Sequence, residues 1–533
     1  MSLPQPNVQR SFFDVSFIAN DLFESEDRFL IFRNKILPIL ERQRSALACF
    51  YCDDNGRPAL DPVMMAGVTL LQFMEKSPDQ KATELVKFNL GWKFALDLDI
   101  QYRGFHPTSL VYFRERLIEN QQERLFFDGI VDALREEGLV KKRSKQRLDS
   151  THVFGCVAQM SRLEIVRKTL RLFLEEVEQQ QLQSSLPEWP LLRERYCDSD
   201  INWSKQTKEE LTKRFLEAGG DAWRLIQWGE NTPLKGHNKS RLLQRVFDEQ
   251  FERQQEQLQR KTIEAAGNVK NPHDPEAQWA TKGSDKQWVG YKAQVMETVP
   301  NGGQAQTKGT PTGQFITEII TTEATASDLD GMQRVLTAQR DHGQDDPSEL
   351  YVDAGYVTDD TLAQAKAEGR EVVGPARPSP SHHGVYPVDQ FDVDVEKKKA
   401  VCPQGKISSQ CSLIHGHDQI GGVYLRFEWA GQCDGCPVRK ECTKSKAGRR
   451  IVMVGIHHDL LQERRREMPT DEFQDRMKQR NAIEGTISEL TRNGLRRTRY
   501  RGLAKTRLAN YFIGAACNIK RWTRLLQWQP IAT

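Results

Sequence analysis

The way the apolar residues change period between residues 289 and 374 constrains this chain more than any other feature. Val289, Tyr291, Ala293 and Val295 alternate with Gly290, Lys292 and Gln294, the period-2 mark of a half-buried strand. Across a turn-rich segment, residues 300–313, Phe315 to Thr321 reads as its antiparallel partner. Ser327 then caps a helix, with Asp330 three residues on and Leu329, Met332 and Leu336 on one face. Leu350-Tyr351-Val352 is a short run suited to a buried strand, and it ends at Asp353. Thr358 opens a second helix, Gly369 ends it, and Glu371-Val372-Val373 supplies a last strand. Far upstream, Leu148 to Phe154 reads as one more strand. Between it and the rest lies a Gln-, Glu- and Arg-rich stretch, residues 161–266, expected to be helical with breaks near Pro187, Pro190 and Gly219-Gly220.

With that stretch set aside, the order is three strands, helix, strand, helix, strand, and then a distant helix over residues 471–492. This is the connectivity of a ribonuclease H-like α/β core, a fold-level match that leaves function to the site. The division expected is a helical N-terminal domain over residues 1–140 for DNA binding or assembly, and a first core segment over 141–160. A helical insertion follows over 161–270, a second core segment over 271–375, a Cys-rich insertion over 376–470, and a last core helix with a basic terminal helix over 471–533. A chain of 533 residues exceeds what one core holds, so several units are expected. In the N-terminal part Asp61-Pro62 marks a helix start, and helices are expected at 79–89, 108–119 and 122–137, with Gly138 as a stop.

No run of 18 apolar residues and no basic-then-apolar leader occurs, so neither a membrane span nor a secretory signal is expected. A cytoplasmic chain with ten cysteines would carry free thiols or metal ligands rather than disulfides. The net charge of +3 conceals an asymmetry. Residues 490–524 hold ten Lys or Arg and no acid, leaving −7 for the remainder, which points to a polyanionic partner. Arg496, Arg497, Arg499, Arg501, Lys505 and Arg507 lead into a helix whose Leu508, Tyr511, Phe512, Ala515, Ile519, Trp522 and Leu526 keep helical period. That face should pack on the core while the cations neutralise phosphates.

Three acids stand out. Asp353 closes a strand and precedes Ala354-Gly355, where ligands of open α/β sheets gather, although an Asp in a turn is common. Asp149 lies inside a strand, where Asp is depleted, so burial there demands a partner or a metal. Glu484 falls, with Arg480, beside the apolar stripe of Phe473, Met477, Ile483, Ile487 and Leu490. The plainer reading of that pair is an i, i+4 ion pair on one helix. Three carboxylates suit Mg²⁺ or Mn²⁺, and two such ions about 4 Å apart activate the attacking oxygen and stabilise the leaving oxygen of a phosphodiester.

The chain resembles bacterial insertion-sequence DDE transposases, in particular the branch named insertion sequence eleven-eighty-two. The motifs that carry the resemblance are Leu148-Asp149-Ser150-Thr151, Tyr351-Val352-Asp353-Ala354-Gly355-Tyr356 and Arg480-Asn481-Ala482-Ile483-Glu484-Gly485, followed by Gly494-Leu495-Arg496-Arg497, Arg499 to Lys505 and Asn518 to Arg521. The resemblance implies Asp149, Asp353 and Glu484 as the catalytic, metal-binding triad. It also implies Mg²⁺-dependent cleavage and joining of double-stranded DNA at transposon ends and target, by a dimer or larger assembly associated with the nucleoid. Related transposases carry Tyr-x2-Arg-x3-Glu-x6-Lys around the third acid. Here Arg480 and Glu484 match, but Met477 and Thr491 replace the Tyr and Lys, so the roles of those two do not carry over; Arg492 is expected to stand in as a phosphate contact, and Arg480 to contact DNA. The alternatives are a nuclease without strand transfer and a degenerate or domesticated DNA-binding relative.

Cys402, Cys433, Cys436 and Cys442 form Cys-x30-Cys-x2-Cys-x5-Cys, with Cys411, His415 and His417 between. Four thiolates with a Cys-x2-Cys knuckle suit a structural Zn²⁺, against unligated thiols as the alternative.

Overall fold

The computed structural model describes residues 2, 13–52, 58–199, 206–254, 257–262, 267–282, 286–300, 313–379, 384–415 and 422–528. His417 and most of the expected turn after Pro300 lie outside the described residues.

The N-terminal helices start and stop where their side chains allow. Asp61 accepts from the amides of Val63 and Met64, and Pro62 opens the helix Pro62–Glu75. Helices Asp79–Phe88, Thr108–Glu119 and Leu125–Glu136 follow, the last closing at Gly138, whose φ is 72°.

The central sheet begins with β1 (Gln146–Phe154). Helices Arg162–Gln179, Lys208–Gly229 and Asn238–Gln250 follow, the first two opened by capping boxes at Ser161 and Thr207. The helical expectation to residue 266 fails at its end. Phe251–Gln254 (β2) and Gln257–Arg260 (β3) form an antiparallel hairpin. Gly219-Gly220 does not break its helix either. A Cβ at Gly219 would lie 2.5 Å from Phe251 and 2.6 Å from Leu258, so this glycine makes room for the hairpin instead of ending the helix. Phe251 joins a core of its own with Phe173, Phe215, Leu225 and Phe247.

The sheet resumes with an unexpected strand, β4 (Gln278–Lys282), then β5 (Lys286–Thr298), β6 (Ile316–Glu323), β7 (Glu349–Tyr351) and β8 (Glu371–Val373). β5 runs antiparallel to β1, with Asp149 opposite Val295. β7 and β8 run parallel to β1 and to each other. β4 and β6 pair with successive halves of β5. The order β6-β5-β1-β7-β8 is consistent with the expected ribonuclease H-like connectivity. Helix Asp328–Asp341, capped by Ser327, covers one sheet face through Met332, Val335 and Leu336 against Leu148 and Met296. The other face, Val153, Tyr291, Ala293 and Val295, shares one continuous core with helices Pro62–Glu75, Leu125–Glu136, Ala482–Arg492 and Leu503–Gln527.

Residues 384–455 carry short strands β9 (Asp392–Asp394), β10 (Lys399–Val401), β11 (Gln410–His415), β12 (Val423–Glu428) and β13 (Ile451–Gly455). These make a two-stranded and a three-stranded sheet around Phe391, Leu425, Phe427 and Trp429. Among the described residues, no helix is long and apolar enough to cross a membrane.

The Gly219 contact gives a test. Gly219→Ala places a methyl against two ring carbons and a leucine that have little room to move. It is expected to cost about 1–3 kcal/mol, read as a lowered Tm in thermal unfolding, whereas Gly220→Ala, which meets nothing within 4 Å, should leave Tm unchanged or raise it.

Candidate active site

The β1 strand delivers Asp149 to the helical face of the sheet. There it is 9% exposed. Its Oδ1 accepts from the Ser150 amide at 2.7 Å and its Oδ2 from Arg480 Nη2 at 3.1 Å. Burial pushes this carboxyl up, the Ser150 amide and the Arg480 cation oppose the rise, and the charge of Asp353 adds to it. Two carboxylates from different strands are therefore close enough to repel.

Asp353 sits two residues past β7, where the Val352 amide still bonds the Val373 carbonyl at 3.0 Å. Its Oδ1 accepts from the Gly355 amide at 2.6 Å. A Cβ on Gly355 would be 2.9 Å from Asp353 Oδ1, 3.2 Å from Arg377 Nη2 and 3.4 Å from Asp328 Oδ2. Gly355 is thus ringed by two carboxylates and a guanidinium.

Asp328 is an acid that sequence reasoning passed over. It occupies the first helical position after the Ser327 cap, where an acid looks like routine complement to the helix dipole. It binds Lys292 Nζ at 3.1 Å. Burial opposes its ionisation, but Lys292, Ser150 and Gln294 together hold it low. Beneath it the buried Tyr356 hydroxyl donates to Gln294 Oε1 at 2.7 Å. The Tyr356 phenol is pushed up by burial first, then by Asp328, with Asp149 and Asp353 adding to it.

Glu484 differs from expectation. The helix foreseen over 471–492 is three pieces: Asp471–Met477, a 3-10 turn Lys478–Asn481, and Ala482–Arg492. The turn resets the wheel. Ile483, Thr486 and Leu490 are buried, while Glu484 is exposed. Arg480, on the turn, pairs with Asp149 rather than with Glu484. The turn is held by Arg147, whose Nη1 donates to the Gln479 carbonyl at 2.7 Å.

Arg147 also belongs to a buried network that the sequence did not announce. It is 1% exposed, and its Nε meets Glu297 Oε1 at 2.6 Å. Glu297 Oε2 accepts from Thr486 Oγ1 at 2.6 Å and from Arg521 Nη1 at 3.0 Å. Arg521 continues to Glu489 at 2.7 Å. Strands β1 and β5, helix Ala482–Arg492 and the terminal helix are thereby pinned together.

The expected DNA-contacting cations fall into groups. Arg492 lines a cavity of about 620 Å³ with Lys76, Lys520, Arg521 and Arg524. Arg497, Arg499 and Arg501 are exposed. Lys505 is exposed and pairs with Glu115 at 3.1 Å, a surface contact of little weight. Arg496 binds His152 Nε2 at 3.0 Å. Tyr500 is partly buried under Arg114.

Cys402, Cys433, Cys436 and Cys442 line one small cavity with Trp429 and Arg450. Burial pushes the Cys442 thiol up, Arg450 opposes the rise, and Cys433, Cys402 and Cys436 add to it. Cys411 packs on the same core. Among the described residues, no three or more His, Cys, Asp or Glu side chains are positioned to hold a metal ion. Neither the three acids nor the four cysteines close a site as they stand.

Two family models match the chain. Residues 401–523 match the transposase DDE domain, and residues 18–116 match a transposase domain (DUF772). Together they support an insertion-sequence DDE transposase. The first spans Glu484 and all four cysteines of the cavity, while Asp149 and Asp353 lie upstream of it. No curated protein and no solved structure matches the chain.

The buried network gives a test of how the site is held. Glu297→Ala leaves Arg147 as an uncompensated buried cation and Arg521 with Glu489 as its one acid, and is expected to cost about 3–5 kcal/mol. Thermal unfolding should show a large fall in Tm, whereas Lys505→Ala, which removes only a surface pair, should change it by less than about 1 kcal/mol equivalent.

Proposed function

We propose that the chain binds the terminal inverted repeats of an insertion sequence as a dimer or larger assembly, cuts DNA strands there and joins the freed 3′-hydroxyl to target DNA. The motif block from Gly494 to Lys505 supports placing it in the eleven-eighty-two branch, working in the cytoplasm on nucleoid DNA. The observation that carries the reading is the nearness of Asp149 and Asp353: the parallel pairing of Arg147 with Tyr351 sets Asp149, within β1, level with Asp353, just past β7, with Arg480 against Asp149.

In this reading Asp149, Asp353 and Glu484 are the ligands of Mg²⁺ or Mn²⁺. The first two fit a hard cation by chemistry and proximity. Glu484 does not gather with them here. A divalent ion held by these acids would lower the pKa of the attacking water and offset charge on the leaving oxygen. The chain's own residues do the rest. Arg480 opposes the rise that burial imposes on the Asp149 carboxyl, and Gly355, lacking a side chain, lets Asp353, Asp328 and Arg377 crowd together. Arg492 and the cations beside it hold backbone phosphates, as do Arg496, Arg497, Arg499, Arg501 and Lys505, giving affinity without sequence readout. The four cysteines are proposed as ligands of a structural Zn²⁺ that would staple the lobe around Trp429.

Element-end DNA supplied with Mg²⁺ separates the readings. Joined products support a transposase, cleavage alone a nuclease, and binding alone a degenerate relative. Asp149→Asn, Asp353→Asn and Glu484→Gln are each expected to lower strand cleavage by at least about a hundredfold while DNA binding persists, and chelation should do the same. A Glu484→Gln protein that cleaves at the wild-type rate removes Glu484 from the triad. For zinc, elemental analysis of the purified protein should find about one Zn²⁺ per chain, lost together with a fall in Tm in Cys433→Ser/Cys436→Ser. Protein free of zinc overturns that assignment.

A further inference from the structure

One face of the sheet carries cations that the proposed function has not used. The β4–β5 register sets Lys282 opposite Lys286 and Ala280 opposite Trp288. The β5–β1 register sets Lys292 opposite His152. Side chains alternate along a strand, so Lys282, Lys286, Trp288, Lys292 and His152 share this face, opposite to the one bearing Asp149. Lys292 is spent on Asp328 and the Ala326 carbonyl. Lys282 and Lys286 are exposed.

His152 is half-buried, its ring 5.2 Å from Trp288 and 5.0 Å edge-on to Phe154. Burial first, then Arg496, Lys286 and Lys282, push its pKa down to about 4, so it is neutral near pH 7. A neutral imidazole facing a guanidinium can only accept. Its Nε2 takes one N–H of Arg496 at 3.0 Å, and the proton sits on Nδ1. The Arg496 main chain is fixed as well, since its carbonyl accepts from the Phe154 amide at 2.9 Å. One of the five guanidinium donors is thus committed to a neutral partner. Among the described residues, no carboxylate pairs with Arg496, Lys282 or Lys286; Asp285, between the two lysines in sequence, lies outside the described residues. An arginine braced by an uncharged acceptor, beside two lysines, keeps its full charge for an outside anion.

We infer that Arg496, braced by His152 and flanked by Lys282 and Lys286 of the β4–β5 hairpin, is a subsite for DNA backbone phosphates. The inference rests on the proposed DNA reading and assigns roles to His152, Lys282 and Lys286 within it. His152 is a positioning residue, and the three cations make the contact. The subsite reads charge and not base sequence.

The test is the salt dependence of binding of the full chain to a short fluorescein-labelled DNA duplex, by anisotropy between about 50 and 200 mM salt. Each lost phosphate contact should reduce the slope of log K against log salt by about 0.9. Arg496→Gln is expected to show that reduction with a several-fold loss of affinity, and Lys282→Gln/Lys286→Gln up to about twice it. Wild-type slopes in both variants overturn the subsite, even if the wild-type protein cleaves and joins DNA. A wild-type protein that binds DNA without cutting it, with flattened slopes in the variants, keeps the subsite and removes the transposase reading. Absence of DNA binding by the wild-type protein overturns both. If Arg496→Gln no longer unfolds cooperatively, the lysine pair on the exposed hairpin decides alone.

Discussion

The ion pair between Arg147 and Glu297 is the contact on which the site depends. Neither side chain reaches solvent, so each charge must be answered inside the protein. Glu297 is answered three times, by Arg147, Thr486 and Arg521. Arg147 spends a further donor on the Gln479 carbonyl. That last bond fixes the turn Lys478–Asn481, and the turn aims Arg480 at Asp149. A charge buried beneath the sheet thus determines what stands beside the acid at its rim. Replacing such a pair with apolar residues is often neutral for stability, so its use lies in geometry: it admits one register between β1, β5 and helix Ala482–Arg492.

The rim of the sheet is a place where charges are brought close and only partly compensated. Asp149 is raised by its burial and by Asp353, while Asp328 is held low by Lys292 despite its own burial. Acids of one rim therefore sit in opposite electrostatic conditions. One is satisfied by a lysine and ties the helix Asp328–Asp341 to β5. The other is held by a single guanidinium contact and by its neighbour's amide, and it would gain from a second cation. Perturbed carboxylates cluster at sites of this kind.

Much of the fold was legible because it is written locally. Asp61-Pro62, Ser327, Thr358 and Gly369 each set a helix boundary through a bond or dihedral within a few residues, and the alternation from Val289 to Val295 needed only its own neighbours. What escaped is long-range. Arg147 closes a basic run from Lys141 in the sequence and bears no local sign of burial, because its partner Glu297 lies 150 residues away. The hairpin β2–β3 is built from Gln, Glu, Arg and Leu, good helix formers, and it is a hairpin because Phe251 and Leu258 find the gap at Gly219. Glu484 was placed on the apolar side by a wheel that assumed one unbroken helix, and a 3-10 turn invalidates that assumption. Asp149 and Asp353 were read from strand position alone, and position was enough to bring them near each other, whereas Asp328 carried no mark beyond that of an ordinary helix start.

The terminal helix Leu503–Gln527 fills the space between the sheet and the N-terminal helices. Phe512 stacks on Phe73 at 5.4 Å, and Asn518 bonds both the amide and the carbonyl of Ile316. These contacts join segments several hundred positions apart, so loop closure must be met before they reward the chain. During synthesis the N-terminal helices and the sheet emerge long before the helix that lies between them. Until it arrives, Phe73, Phe126, Phe127 and Ile319 lack the partners Phe512, Tyr511 and Gly514 that cover them in the folded chain, and incompletely covered apolar surface of this kind is what chaperones engage. Assembly of this face of the sheet is therefore timed by translation of the last segment to dock, and a ribosome that stalls short of residue 503 leaves a chain with its acids encoded but its core open.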